Sequence, residues 1–159
     1  MEINAKPTVV LVDDEEMVIK SIQAYLELEA DYEVPGFTDP EEALRYTRSH
    51  VVDVVVADYL MPNINGIELL AHAKQLQPEA TRVLLTGHAD KQSAIQAINK
   101  VALFQYLEKP WDNAQLLLVI QAGIERTQLL RNLREKISEL DMAHSSLKDV
   151  QRRLIQAFL

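Results

Sequence analysis

The chain has 159 residues, a formal net charge of −8 and no cysteine, which leaves room for one compact domain plus an appendage and excludes a disulfide framework or a thiolate zinc site. No apolar run reaches the ~18 residues of a membrane span, and the opening MEINAKP lacks the apolar core of a secretory signal, so a cytoplasmic protein with no membrane partner is expected. Residues 1–125 hold 9 Lys and Arg against 20 Asp and Glu, which argues against a nucleic-acid partner; residues 126–159 hold 7 against 4, read as a solvated helix face rather than a basic arm.

Thr8–Val12 is a short β-branched run ending in Asp13-Asp14-Glu15-Glu16, a strand feeding a helix whose acid-rich first turn suits the helix dipole. Val18, Ile22, Tyr25 and Leu26 then fall on one helical face. Tyr32–Phe37 reads as a weaker strand. Asp39-Pro40-Glu41-Glu42 opens a second helix, with a capping acid and proline at the first helical position. Val54, Val55, Val56 and Ala57 are apolar without alternation, as in a strand covered on both faces, and this strand ends in Asp58. Pro62–Gly66 is a turn and Ile67–Leu76 a helix. Arg82–Leu85 is a fourth strand, stopping at Thr86-Gly87. Asp90 is expected to cap a helix carrying Ala94, Ile95, Ile98 and Val101. Leu103–Leu107 is a fifth strand, cut off by Lys109-Pro110. Five strands alternating with helices predict an α/β fold, a parallel sheet with crossover helices on both faces.

The last helix is predicted to begin near Asp112, and from Leu130 its apolar positions repeat every seven residues. Leu130, Ile137 and Phe158 lie at a, Leu133, Leu140, Leu147 and Leu154 at d, and the polar His144 and Gln151 fill the other a positions. Ile at a with Leu at d favours a parallel two-stranded coiled coil, in which Lys136 at g faces the partner's Asp141 at e. A homodimer through this helix is expected, the alternative being a helix folded back on its own domain. The pattern runs to the last residue without a cap, as in a piece of a longer protein. The expected organisation is therefore a globular domain over residues 1–125 and a coiled-coil segment over residues 126–159.

Asp13 and Asp14 end the first strand and Asp58 the third. If those strands are neighbours, three carboxylates converge at the strand ends where open α/β sheets bind ligands. Such a cluster repels itself unless a cation occupies it, and hard oxygen ligands with room for water suit Mg²⁺. Thr86 adds a hydroxyl and Lys109 an ammonium at the next two strand ends, a set able to hold a phosphoryl group. Taken singly, Asp58 is equally well a turn-capping acid and Tyr106 a fixed core aromatic. Trp111 reads as a packing residue, Glu15 and Glu16 as dipole residues, and the four histidines show no metal-ligand spacing.

The pieces VLVDDE (Val10–Glu15), VVVADYLMPNINGIEL (Val54–Leu69), VLLTGH (Val83–His88) and YLEKPW (Tyr106–Trp111), in this order and spacing, resemble the receiver domain of two-component response regulators over roughly residues 6–125. The resemblance implies a flavodoxin-like, doubly wound five-stranded sheet of order 2-1-3-4-5. It implies that Asp58 accepts a phosphoryl group from the phosphohistidine of a sensor histidine kinase or phosphotransfer protein. Asp14, Asp58 and the main-chain carbonyl of Leu60 would ligate Mg²⁺, with Asp13 acting through water. Lys109 would pair with the phosphoryl oxygens, and the Lys109–Pro110 bond is expected to be cis. Thr86 would move toward the phosphate and Tyr106 follow it inward. Leu60 and His88 lie where the family varies phosphoryl lifetime, and apolar Leu60 implies a long-lived state. Gly87 keeps the space beside Thr86 small. Val101-Ala102-Leu103-Phe104 departs from the family, many of whose members carry glycine before strand five.

The leading expectation is a regulatory module, not an enzyme beyond acquiring and slowly losing its own phosphate, that signals through its long helix to an output domain outside these residues. A KPW ending with a coiled-coil extension resembles receivers that precede cyclic-dinucleotide enzymes, phosphatases or kinase modules more than DNA-binding regulators. One alternative is an Mg²⁺-dependent phosphatase or phosphotransferase, for which the second acid wanted at position 60 is replaced by Leu60. The other is a degenerate receiver serving only as a dimeric scaffold, against which stands the complete set Asp13, Asp14, Asp58, Thr86 and Lys109.

Overall fold

The β-branched runs read from the sequence become the strands of one parallel sheet in a computed structural model that describes residues 5–158, except the side chains of His88 and Ala97. In chain order the elements are β1 (Val9–Val12), α1 (Glu16–Glu29), β2 (Gly36–Phe37), α2 (Pro40–Ser49), β3 (Val54–Asp58), α3 (Gly66–Leu76), β4 (Thr81–Thr86), a short 3-10 turn (His88–Asp90), α4 (Lys91–Lys100), β5 (Gln105–Glu108) and α5 (Asn113–Phe158). The strand order is β2-β1-β3-β4-β5 with every pairing parallel, the flavodoxin-like topology.

Successive strand residues point to opposite faces, so an uninterrupted apolar strand needs helices on both sides. Val10, Val12, Val55, Ala57 and Leu84 pack on Leu69, Leu70 and Ala73 of α3, with Ala43 of α2 and Ala94 of α4. On the other face Val9, Leu11, Val54, Val56, Val83 and Leu85 meet Ile22 and Leu26 of α1 and Leu116, Ile120 and Ile124 of α5. Asp39 caps α2 by accepting from the Glu41 N–H at 3.0 Å, and Asn65 caps α3 by accepting from the Glu68 N–H at 2.9 Å.

Two strand boundaries differ from the sequence reading, each for a local reason. The strand expected over Tyr32–Phe37 shrinks to Gly36–Phe37 plus one bridge between Thr8 and Glu33. Pro35 accepts from the Leu11 N–H at 3.0 Å but has no N–H to return. α4 begins at Lys91, directly after Asp90, the position the sequence reading gave its cap, with a 3-10 turn over His88–Asp90 leading in. β5 starts at Gln105 instead of Leu103, because α4 ends at Lys100 and Ala102 turns the chain through a left-handed φ of 49°. This is the corner where a family glycine was missing, and an alanine occupies the conformation glycine adopts without strain.

Arg82, on β4, holds that corner. It is 2% exposed, and its guanidinium donates to the carbonyls of Val101 (2.9 Å), Ala80 (2.8 Å), Pro78 (3.2 Å) and Ala102 (3.3 Å). Burial, and secondarily the Arg126 charge, push its pKa down.

The described residues divide into two compact units that meet between Thr127 and Gln128. In the first, Thr127 donates to the Asp53 carbonyl at 2.7 Å and lies 2.8 Å from the Thr81 hydroxyl, which donates to the Gly123 carbonyl at 2.8 Å. Gly123 permits this approach, since a Cβ there would sit 2.9 Å from Thr81 Cγ2. The second unit is the remainder of α5, and its residues are exposed apart from a few at the start. Among the described residues no helix is long and apolar enough to cross a membrane.

Candidate functional site

The register of β1 against β3 pairs Val12 with Ala57, which sets Asp13 beside Asp58 at the next step. Parallel strands end on the same side, so Asp13, Asp14 and Asp58 emerge together with one carboxylate oxygen from each within 4.8 Å of the others. Asp13 and Asp58 are each 3% exposed, whereas Asp14 is exposed. One Asp13 oxygen accepts the Glu15 N–H at 2.8 Å; the other, Oδ2, is buried and has no hydrogen-bond partner among the described residues.

This crowding appears in the acidities. Burial raises the Asp13 pKa to about 6, opposed by the Glu15 N–H and reinforced by repulsion from Asp58 and Asp14. Burial also raises Asp58, opposed chiefly by Lys109, whose Nζ lies 3.2 Å from Asp58 Oδ1. One ammonium against three carboxylates leaves a negative excess. Hard oxygen donors and an orphaned buried carboxylate oxygen fit a small divalent cation.

Lys109 reaches the cluster from the end of β5. Its N–H donates to the Thr86 carbonyl at 2.8 Å, its bond to Pro110 is cis as the resemblance implied, and its Nζ stands 5.7 Å from the Trp111 ring centroid. That last distance is within cation–π range. Thr86, fully buried at the end of β4, turns its hydroxyl to the Gly87 carbonyl at 3.2 Å. Tyr106, paired across the sheet with Leu84, is half-buried against the core of the α3–α4 face. Leu60 lies two residues beyond the end of β3 and is 61% exposed. The structure thus brings together Asp13, Asp14, Asp58 and Lys109, sets Thr86 next to them through its backbone, and keeps Tyr106 apart. The His88 side chain lies outside the described residues.

Two contributors went unread in the sequence. Gly66 starts α3 so close to β3 that a Cβ would collide with the Asp58 carbonyl and stand 2.8 Å from Leu84 Cδ1, and its N–H donates to the Tyr59 carbonyl at 3.0 Å. The Asn65-Gly66 pair after the turn was the available signal. Trp111, read as packing alone, also faces the Lys109 ammonium; two residues of spacing at a strand end was the clue. A Cβ at Gly87 would meet Asp90 Oδ2 at 3.6 Å, an ordinary contact.

A cavity of about 530 Å³, lined by Lys6, Asp31, Tyr32, Glu33, Pro35 and Tyr46 among others, opens beside the residues that precede β1 and β2. It shares no residue with the acidic cluster and lies by the opposite strand ends.

Residues 9–121 match the family described as response regulator receiver domain. The phosphoglycerate transport system transcriptional regulatory protein PgtA of Salmonella typhimurium is 32% identical over 124 residues, 78% of this chain but 29% of that protein. The transcriptional regulatory protein FixJ of Rhizobium meliloti is 26% identical over 150 residues, 94% of this chain and 72% of that one. The signal receiver domain of an HD domain-containing protein from Pseudomonas fluorescens superposes with a TM-score of 0.76 at 32% identity, covering 83% of this chain and 96% of that domain. The chain therefore spans less than a third of the length of PgtA.

Proposed function

This chain belongs to the response regulator receiver domain family, and from that membership we propose that Asp58 is its phosphoacceptor, loaded from the phosphohistidine of a sensor histidine kinase or phosphotransfer protein. A carboxylate oxygen of Asp58 attacks phosphorus, the P–N bond breaks with its electron pair left on the departing imidazole, and an acyl phosphate forms. Lys109, 3.2 Å from that carboxylate, neutralises the incoming phosphoryl oxygens. Asp13, Asp14, Asp58 and the Leu60 main-chain carbonyl would hold Mg²⁺, Asp13 mainly through water. The ion supplies further neutralisation of the transferring group.

The Thr86 hydroxyl, now on the Gly87 carbonyl, turns to the phosphoryl group, and Tyr106 moves further into the core behind it. Phosphorylation is then a local electrostatic change that biases a two-state element. With apolar Leu60 beside the site, no amide or acid at that position orients a hydrolytic water, and the acyl phosphate is long-lived. The chain's own chemistry is confined to acquiring this group and slowly hydrolysing it, in the cytoplasm. Residues 1–125 act as the receiver and residues 126–159 as a dimerising coiled coil through which the state passes to an output domain. That α5 runs as one helix from Asn113 to Phe158 supports this route.

The observation that carries the reading is a buried carboxylate at the end of the central strand, ion-paired to Lys109 and set against an unpartnered Asp13 oxygen. Incubation with Mg²⁺ and acetyl phosphate followed by intact-mass measurement tests it. A single phosphoryl adduct that is lost in Asp58→Asn is expected. Turnover of free phosphate esters at enzymatic rates would establish a phosphatase instead, and no adduct under any condition would leave a scaffold.

A further inference from the structure

Along the second unit the heptad offers two seams, not one. Leu133, Leu140, Leu147 and Leu154 are between 54% and 69% exposed, a continuous apolar spine. With these leucines at d, the a residues are Leu130, Ile137, His144 and Gln151, so the last two a layers are polar. Leu140, Leu147 and Leu154 also lie three residues before Ala143, Val150 and Ala157. Counting Leu140, Leu147 and Leu154 as a instead makes Ala143, Val150 and Ala157 the d residues, and every layer from Leu140 onward is apolar.

Each seam carries one penalty. The first winds regularly but buries two polar layers, which lowers stability. The second cannot extend back past Leu140, because Lys136, ion-paired with Glu139 at 3.4 Å, would occupy its d position. Joining it to Leu133 and Ile137 takes two successive steps of three residues, from Ile137 to Leu140 to Ala143, which overwinds the coil locally. Passing from one seam to the other turns each helix by ~50°, half the ~100° between adjacent residues.

The surface fits a second, parallel copy of this chain. A leucine spine at seven-residue spacing is self-complementary, and neither arrangement sets like charges against each other at g and e. In the first seam Lys136 at g faces the partner's Asp141 at e. In the second, Glu139 takes g and faces the partner's His144 at e. We infer that the stretch from Leu140 to Ala157 of the dimer is a two-state element, packed either through His144 and Gln151 or through Ala143 and Val150, and that phosphorylation selects between the two. This rests on the phosphoacceptor reading of Asp58 and on the dimer.

The chain has no cysteine, so single replacements report each seam cleanly. Full-length Ala143→Cys, His144→Cys, Val150→Cys and Gln151→Cys proteins are oxidised with Mg²⁺, with and without acetyl phosphate, beside Leu140→Cys, which both seams bury, and Ser145→Cys, which neither does. Phosphoryl occupancy is read on the same samples by intact mass. Both members of each neighbouring pair should cross-link faster than Ser145→Cys. The ratio of His144→Cys to Ala143→Cys product should change by about tenfold on phosphorylation, a bias of ~1.4 kcal/mol. Cross-linking at only one member of each pair, or a fixed ratio in phosphorylated protein, overturns the two-seam inference while leaving the phosphoacceptor intact. Dimer product no faster than the Ser145→Cys control at every position, with a monomer in sedimentation, overturns the dimer as well. Absence of any phosphoryl mass overturns the phosphoacceptor reading and the selection together.

Discussion

Replacing Asp13 by asparagine should stabilise the metal-free protein at neutral pH, the reverse of the usual result of altering a buried polar residue. In the unfolded chain the Asp13 carboxyl titrates near 3.8, and in the fold near 6. Between those values the folded state keeps a proton that the unfolded state has released. Unfolding free energy therefore falls as pH rises through that window and stays lower above it. Two pH units at 1.36 kcal/mol each place the penalty at about 3 kcal/mol at pH 8. The replacement amide would keep an acceptor oxygen for the Glu15 N–H and remove the charge, and its NH₂ could donate to the neighbouring carboxylates. Urea unfolding in chelator should then show Asp13→Asn more stable than the parent by up to about 3 kcal/mol at pH 8, at an unchanged m-value, with the gap closing toward pH 4. Adding Mg²⁺ should narrow the gap, because an ion held more tightly by the folded parent stabilises the parent more by mass action. An Asp13→Asn protein less stable than the parent at pH 8 in chelator would refute the electrostatic account of the cluster.

Ala102 adopts a left-handed φ of 49°, so Ala102→Gly should stabilise the fold by about 1 kcal/mol in the same denaturation assay, against the usual direction of such a change. Arg82→Met leaves the carbonyls of Val101, Ala80 and Ala102 without their donor and should destabilise by about 2–3 kcal/mol. Trp111 is the chain's one tryptophan and stands 5.7 Å from Lys109 Nζ. Its emission should change when acetyl phosphate and Mg²⁺ draw the ammonium to a phosphoryl group, and in Lys109→Met the change should vanish.

What could be read from the sequence divides along physical lines. Strand identity was legible because it depends on residue type at fixed spacing, whereas strand order, and with it the convergence of Asp13, Asp14 and Asp58, came from the family resemblance. An unbroken apolar run demands cover on both faces, and parallel strands carry their terminal residues to one side. The corner at Ala102 was not legible, because it depends on a backbone angle that alanine does not advertise and on a guanidinium from another strand. Pro35 shortened β2 by removing a donor, a signal present in the sequence but outvoted by the β-branched and aromatic residues around it. Gly66 shows the same limit: a glycine beside asparagine announces a turn, while the need for it comes from how near α3 lies to the Asp58 carbonyl, which only packing reveals.

The tension at the strand ends bears on signalling as well as stability. Burial raises both Asp13 and Asp58, and one lysine cannot satisfy three acids, so the cation-free site is held in an unfavourable state by the rest of the fold. That energy comes from the apolar layers on both faces of the sheet, which place β1 beside β3 whatever their terminal residues prefer. Any charge added at Asp58 acts on groups already out of balance. Lys109 is bound through its backbone to Thr86, so a pull on the lysine side chain is felt at the end of β4 without crossing the core. The counter-ion of this site is tied by its own backbone to the adjacent strand, so the end of β4 is where the proposed charge at Asp58 would be felt first.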